Sequence, residues 1–250
     1  MKTTLFVFSA TGNTLTTARR IAAQLENCEI ISVADVFRNE RVETDADAVG
    51  FVFPVYHGDP PWPVRELARN LHYTADSPYI FAVTTARGHV GNAPLRLNQT
   101  LRVRRKVLSL AVNVQMPGNS LMNTPEEEAA MLAAQDENIK KALGAVINRE
   151  IRDYSTDQII PATPVVVPNN FRGITADETC TGCGTCVRVC PMGNIRIEDG
   201  KAMIGDDCTT CLACFHWCPT ESIWMSKQEG IARRRKYHHP DVKLEDFLVR

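Results

Sequence analysis

Leu5-Phe6-Val7-Phe8-Ser9-Ala10-Thr11-Gly12-Asn13-Thr14 is the stretch on which the fold turns. Four apolar residues in succession read as a strand buried on both faces, as a parallel sheet covered by helices requires. Ser9 to Thr14 then meet the positive end of a helix predicted over 14–26, where hydroxyls and backbone N–H groups can enclose a phosphate without Lys or Arg. The loop has neither the Gly-Lys-Ser/Thr of Walker A nor the Gly-x-Gly-x-x-Gly of dinucleotide folds. An ordinary strand-to-helix turn with a Ser/Thr cap accounts for one or two of these residues, but not for the set.

Outward from this stretch, apolar runs at 29–33, 48–54, 79–85 and 106–114 join 5–8 as strands. Helices are predicted at about 63–72 and 91–104, with a long one over 125–151. Thr124 caps that last helix, Pro125 suits its first position, and Glu126, Glu127 and Glu128 favour the positive end of its dipole. The alternation predicts an α/β fold, a doubly wound five-stranded parallel sheet in residues 1–165. Pro161, Pro164, Pro168 and Asn169-Asn170 mark a seam. A smaller domain over 171–227 follows, then a tail over 228–250 carrying Arg233-Arg234-Arg235-Lys236.

Of nine cysteines, Cys28 stands alone and reads as a packing residue, while the other eight form two runs. Cys180, Cys183, Cys186 and Cys190, followed by Pro191, recur 28 residues later as Cys208, Cys211, Cys214 and Cys218, followed by Pro219, and Ile195 recurs as Ile223. Such an internal repeat reads as two half-modules about a pseudo-twofold axis. The runs resemble those of bacterial-type ferredoxins with two [4Fe–4S] clusters, in which the fourth cysteine of each run serves the other cluster. The resemblance implies Cys180, Cys183, Cys186 and Cys218 on one cluster, and Cys208, Cys211, Cys214 and Cys190 on the second. A zinc module is the alternative, but zinc needs neither the triply spaced run nor the closing proline. Gly182, Gly184, Thr185, Thr209, Thr210 and Ala213 are small enough for backbone N–H groups to approach cluster sulfur. His216, inside the second run, reads as a packing residue rather than a ligand.

Pro54 to Trp62 follows the third strand and Thr84 to Asn92 the fourth, so three loops converge where open α/β sheets bind ligands. Together they resemble the three FMN-binding loops of flavodoxins, and the chain as a whole resembles a fusion of a flavodoxin-like domain with a ferredoxin domain. That resemblance implies FMN, with Ser9, Thr11, Gly12, Asn13 and Thr14 on the phosphate. Tyr56 would line one side of the ring, with Arg87 beside it, and Gly88, Gly91 and Asn92 would let backbone approach the ring's polar edge. Met116-Pro117-Gly118-Asn119 is placed to close the same crevice. Trp62, behind two prolines, reads as packing, and packing is also the alternative for Tyr56. The third loop departs from many flavodoxins in offering Arg87 and His89 but no aromatic residue. A cation there would stabilise the reduced flavin and raise its potential, unless Arg87 is a solvated surface residue.

Composition narrows the function. The 250 residues are 44% hydrophobic, and 28 Lys+Arg against 29 Asp+Glu give a net charge of −1, so no basic field for nucleic acid exists. No apolar run reaches the ~20 residues of a membrane span. The chain reads as cytoplasmic, and eight cysteinates with two oxidised cubane cores would take its charge to about −5. The expected role is electron transfer between FMN and two [4Fe–4S] clusters, with redox proteins as partners. Two alternatives stand beside it: an FMN-dependent reductase of a small acceptor, and an FMN-free docking module carrying a ferredoxin domain. No side chain is assigned an acid, base or nucleophile role.

Overall fold

A computed structural model describes residues 2–119, 123–154, 173–227 and 235–247. The chain forms two compact units: Met1–Ser9, Thr14–Pro117 and Thr124–Thr163 in one, and Ala10–Asn13, Gly118–Asn123 and Pro164–Arg250 in the other. The seam at 161–170 and the domain bounds at 165 and 171 lie outside the described residues, as do 228–234 of the tail.

The first unit is built on strands β1 (Thr3–Val7), β2 (Cys28–Ser32), β4 (Ala48–Pro54), β6 (Tyr79–Ala86) and β7 (Leu110–Gln115). They form one parallel sheet in the order β2-β1-β4-β6-β7. The middle strands carry unbroken apolar runs because both their faces are covered, and Leu5, Phe6, Phe51, Val52, Phe81 and Val83 are fully buried. The edge strand β2 instead exposes Glu29 and Ile30. Strand order reverses between β1 and β4, so the loops leaving their C-terminal ends diverge and open a crevice.

Helices α1 (Asn13–Ala22), α3 (Trp62–Asn70), α4 (Ala93–Arg102) and α5 (Pro125–Ile147) connect or follow these strands, with a short α2 (Val33–Val36) after β2. The α5 start is as expected: Thr124 Oγ1 accepts from Glu127 N at 3.2 Å, and Glu127 Oε2 accepts from Thr124 N at 3.0 Å. Ile139, Leu143 and Val146 bury the other end of that helix against the sheet core, each contributing roughly 1.5–3 kcal/mol.

Several elements differ from expectation: α1 ends at Ala22 rather than residue 26, α5 ends at Ile147 rather than 151, and α2 takes up Val33, expected in the second strand. The helix predicted to residue 72 ends at Asn70, because Leu71 turns to extended geometry and Leu71–Tyr73 form β5, parallel to β3 (Val42–Thr44). The fifth strand starts at Leu110 rather than Lys106, since Leu108 N is drawn off to Asn98 Oδ1 at 3.0 Å.

The second unit shows the internal repeat in its backbone. The segment β8 (Ile174–Ala176), α6 (Thr185–Val189), β9 (Ile195–Glu198) is followed by β10 (Lys201–Ile204), α7 (Ala213–His216), β11 (Ile223–Met225). Strand β8 pairs antiparallel with β11, and β9 with β10. Gly182 and Gly184 have φ of +66° and +75°, and their counterparts in the second copy, Thr210 and Leu212, take +55° and +61°. Glycine adopts this left-handed region freely, whereas a residue with a Cβ is strained there and stays only where its surroundings impose it. Leu212 is held in a core with Phe215, Ile223, Met225, Cys186 and Cys214.

Candidate metal centre and anion loop

The repeat places the two cysteine runs around helices α6 and α7. Cys190, Cys208, Cys211 and Cys214 line one pocket together with Ile174, Met192, Asn194, Ile195, Ile204 and Thr209. Three of these thiols come from the second run and one from the first. Cys186 lies close enough to Cys218, Cys180 and Cys183 to feel their charge, while burial, the largest influence, pushes its thiol up to about 11. Burial likewise raises Cys214 well above the ordinary thiol, with smaller electrostatic contributions from Cys211, Cys190, Cys208 and Cys186. The exposed Cys183 shifts the other way, because Thr185 hydrogen-bonds to it.

Backbone donors reach two of the sulfurs, one from Thr210, among the small residues between the cysteines, and one from Asn194, which lies after the first run. Asn194 N donates to Cys190 Sγ at 3.4 Å and Thr210 N to Cys208 Sγ at 3.3 Å. Among the described residues no three His, Cys, Asp or Glu side chains converge on a point to hold a single ion. The donor set suits a group larger than one ion, with eight soft thiols in two fours and N–H groups aimed at sulfur. Met192 and Asn194 were not singled out from sequence; their only signal was a place after the closing Cys-Pro of the first run.

At the end of β1, Ser9 Oγ accepts from Leu15 N at 3.3 Å, and Thr14 Oγ1 lies 2.7 Å from Thr85 Oγ1. Between them, Ala10–Asn13 belong to the second unit. The indole Nε1 of Trp217 donates to Ala10 O at 2.8 Å, His239 N donates to Thr11 O at 2.7 Å, and the Tyr237 hydroxyl donates to Asn13 Oδ1 at 2.6 Å. Gly12 sits at φ +99°, and a Cβ there would lie 2.9 Å from the Cβ atoms of His239 and Val242. Thr11, Asn13 and Thr14 are buried, and α1 has no acidic residue in its first turn. A helix start with hydroxyls, a glycine turn and no carboxylate fits a phosphate. His216, read as a packing residue, has both ring nitrogens engaged: Nδ1 accepts from Tyr237 N at 3.0 Å, which leaves Nε2–H to donate to Asn119 O at 2.9 Å.

Within the first unit, the loops after β4 and β6 touch. Tyr56 and Asp59 exchange backbone hydrogen bonds of 3.0 Å across a tight turn at His57 and Gly58. A Cβ on Gly91 would lie 2.6 Å from Gly58 Cα, so the two loops meet backbone to backbone. Tyr56 is half-buried and packs edge-on to Phe8, with ring centroids 6.4 Å apart. Gly88, Gly91 and Asn92 are exposed. Arg87, read as a cation beside a ring, is ion-paired with Glu127, its Nη2 lying 3.1 and 3.0 Å from the two carboxylate oxygens. Trp62, half-buried, packs edge-on against Phe37, as expected of a packing residue. Met116 is buried in the sheet core.

Residues 4–119 match the family model for a flavodoxin domain, and residues 179–223 match that for a 4Fe–4S dicluster domain. Over 50 residues the chain is 40% identical to a ferredoxin of Methanothermococcus thermolithotrophicus, covering 18% of this chain and 83% of that protein. An uncharacterised ferredoxin of Methanocaldococcus jannaschii is 42% identical over 48 residues, covering 18% of this chain and 77% of its own. Among solved structures, general stress protein 14 of Treponema denticola in complex with FMN aligns with a TM-score of 0.41 at 9% identity, over 60% of this chain and 100% of that one.

Proposed function

We propose that this chain, which belongs through its C-terminal module to the ferredoxins with a 4Fe–4S dicluster domain and carries a flavodoxin domain ahead of it, is an electron-transfer protein holding two [4Fe–4S] clusters and one FMN. The observation that carries the reading is the pocket whose four thiols come from both cysteine runs. It supports Cys190, Cys208, Cys211 and Cys214 as the ligands of one cluster, and the remaining set, Cys180, Cys183, Cys186 and Cys218, as those of the other. Flavin supplies one- or two-electron chemistry when bound, and each cluster one-electron chemistry.

The residues of this chain position rather than react. Backbone N–H groups of Asn194 and Thr210 donate to ligand sulfur, which favours the thiolate and stabilises added negative charge. Ser9, Thr11, Gly12, Asn13 and Thr14 hold the FMN phosphate at the start of α1, where the helix dipole favours an anion. Tyr56, on the turn that touches Gly91, lines the ring, and Gly88, Gly91 and Asn92 present backbone to its polar edge. Arg87 contributes less positive charge than a lone cation, because Glu127 offsets it. Electrons pass to and from redox proteins. Among the described residues no helix is long and apolar enough to cross a membrane.

The test is anaerobic purification with iron, sulfide and acid-released FMN quantified per chain. About eight iron atoms are expected for two cubanes, with one FMN. Iron at that level without FMN, even after incubation with excess flavin, would overturn the flavin assignment.

A further inference from the structure

The tail is the part of the sequence to which no role attached, yet His239 is fully buried and Tyr237 nearly so. Their partners are the backbone and side chains of Ala10–Asn13. A trans peptide points its C=O and the following N–H in opposite directions. Trp217 Nε1 holds the Ala10 carbonyl, so the N–H of Thr11 points away from the indole. His239 N holds the Thr11 carbonyl, so the N–H of Gly12 points away from the tail. Among the described residues neither of these two N–H groups donates a hydrogen bond. The Tyr237 hydroxyl fixes the side chain of the next residue, Asn13, and His239 and Val242 pack against the side of Gly12 where a Cβ would stand.

Trp217 stacks on His238, the neighbour of His239, with ring centroids 4.4 Å apart, so the two carbonyls are drawn toward one cluster of donors and the two following N–H groups are turned away from it. Successive N–H groups aimed together make an anion-binding concavity. We propose that Trp217 and the tail segment Tyr237–Val242 are positioning residues for the phosphate cradle, orienting the Thr11 and Gly12 N–H groups by holding the carbonyls behind them. This rests on the flavin reading, and it assigns the tail a part in discriminating phosphorylated from unphosphorylated flavin. Trp217 lies between Cys214 and Cys218, so the same residue belongs to the cysteine module and to the cradle.

The experiment uses the full chain with its clusters, freed of flavin, and compares FMN with riboflavin by fluorescence titration. Trp217→Phe removes the donor to Ala10. His239→Pro removes the backbone donor to Thr11, whereas His239→Ala keeps it. Losing one buried hydrogen bond is expected to weaken FMN about 3- to 10-fold. Trp217→Phe and His239→Pro should show this loss with riboflavin affinity unchanged, and His239→Ala should retain the FMN preference. Iron content, measured in parallel, reports whether each variant keeps its cysteine module.

Equal weakening of both flavins, or no change in either variant, would overturn the proposal and leave the flavin reading intact. If the unaltered chain binds neither flavin, the flavin reading fails instead. The cradle is then judged by hydrogen exchange at residues 11–12 with inorganic phosphate as probe. Protection in the unaltered chain that His239→Pro abolishes upholds it, and absence of protection overturns it.

Discussion

The hydroxyls of Thr14 and Thr85 lie 2.7 Å apart and buried, joining the first turn of α1 to the end of β6. Thr85→Val alone leaves the Thr14 hydroxyl buried without this partner, at a cost of ~1–3 kcal/mol, whereas replacing both with Val removes the polar pair at little cost. For a chain of this size each kcal/mol moves the unfolding midpoint by about 2–4 °C. Either single substitution should therefore lower the thermal midpoint of the flavin-free chain, and the double substitution should recover most of the loss. A double variant as destabilised as the sum of the singles would show that the pair does not interact.

The crossed arrangement of thiols makes a prediction about iron. If Cys190 serves with the second run, Cys190→Ala combined with Cys208→Ala damages one cluster and leaves about half of the iron. Cys190→Ala combined with Cys186→Ala, two changes within one run, should damage both. Iron counted per chain after anaerobic purification separates these outcomes, and the opposite ranking of the two double variants would reassign the ligands run by run.

Gly50 stands at the centre of β4, and a Cβ on it would lie 2.5 Å from Phe81 Cζ and 2.6 Å from Leu5 Cδ2. Both neighbours are fully buried on flanking strands, so neither can swing into solvent. Gly50→Ala is expected to cost ~1–3 kcal/mol by overpacking. Denaturant unfolding of the flavin-free chain should show the midpoint falling with the slope unchanged, and an unchanged midpoint would mean that the core there is loosely packed.

Such contacts show which parts of the molecule were legible in the sequence. The unbroken run Ala48–Pro54 could be read as a central strand because burial on both faces writes itself as continuous apolar residues. The cysteines could be read because ligand chemistry fixes their spacing. The strand Leu71–Tyr73 was missed because three residues hold no period and its partner Val42–Thr44 is as short. Left-handed Thr210 and Leu212 carry no mark of their own; only their alignment with Gly182 and Gly184 across the repeat signals them. Tyr237 was illegible for a different reason: its partner Asn13 lies 224 residues away, and nothing local records a contact between distant segments. The pairing of Arg87 with Glu127, 40 residues apart, was hidden in the same way.

Cys28 offers a pH test apart from the cluster ligands. Burial raises its thiol to about 11, with Glu29 adding to the shift. The fold therefore favours the protonated form: this contribution to stability is fully present below the ordinary value of 9.0 and is lost as pH rises through about 11. In the cluster-loaded chain, with the ligand cysteines bound, alkylation by iodoacetamide should be slow at pH 8 and climb toward pH 11, since only the thiolate reacts. Mass spectrometry locates the label, and rapid modification of Cys28 at pH 8 would contradict the assigned burial.

The last prediction concerns linkage between the two cofactor sites. Asn119 Nδ2 donates to Cys211 O at 2.8 Å, Asn119 O accepts from His216 Nε2 at 2.9 Å, and His216 Nδ1 accepts from Tyr237 N at 3.0 Å. A ligand cysteine is thereby connected through hydrogen bonds to the tail residue that holds Asn13. Removing iron frees Cys211 and the α7 segment from their fixed positions, and the cradle loses support from Trp217 and Tyr237 together. FMN should bind roughly tenfold more weakly to the iron-free chain, a coupling of about 1.4 kcal/mol, and riboflavin should be unaffected. Linkage is reciprocal in direction, so bound FMN should also favour iron retention against a chelator. Fluorescence titration before and after chelation measures the first, and iron release at fixed chelator concentration the second. An FMN-to-riboflavin preference that is the same with and without iron would mean that the hydrogen bonds between Cys211 and Asn13 hold the segments together without transmitting the state of the cluster.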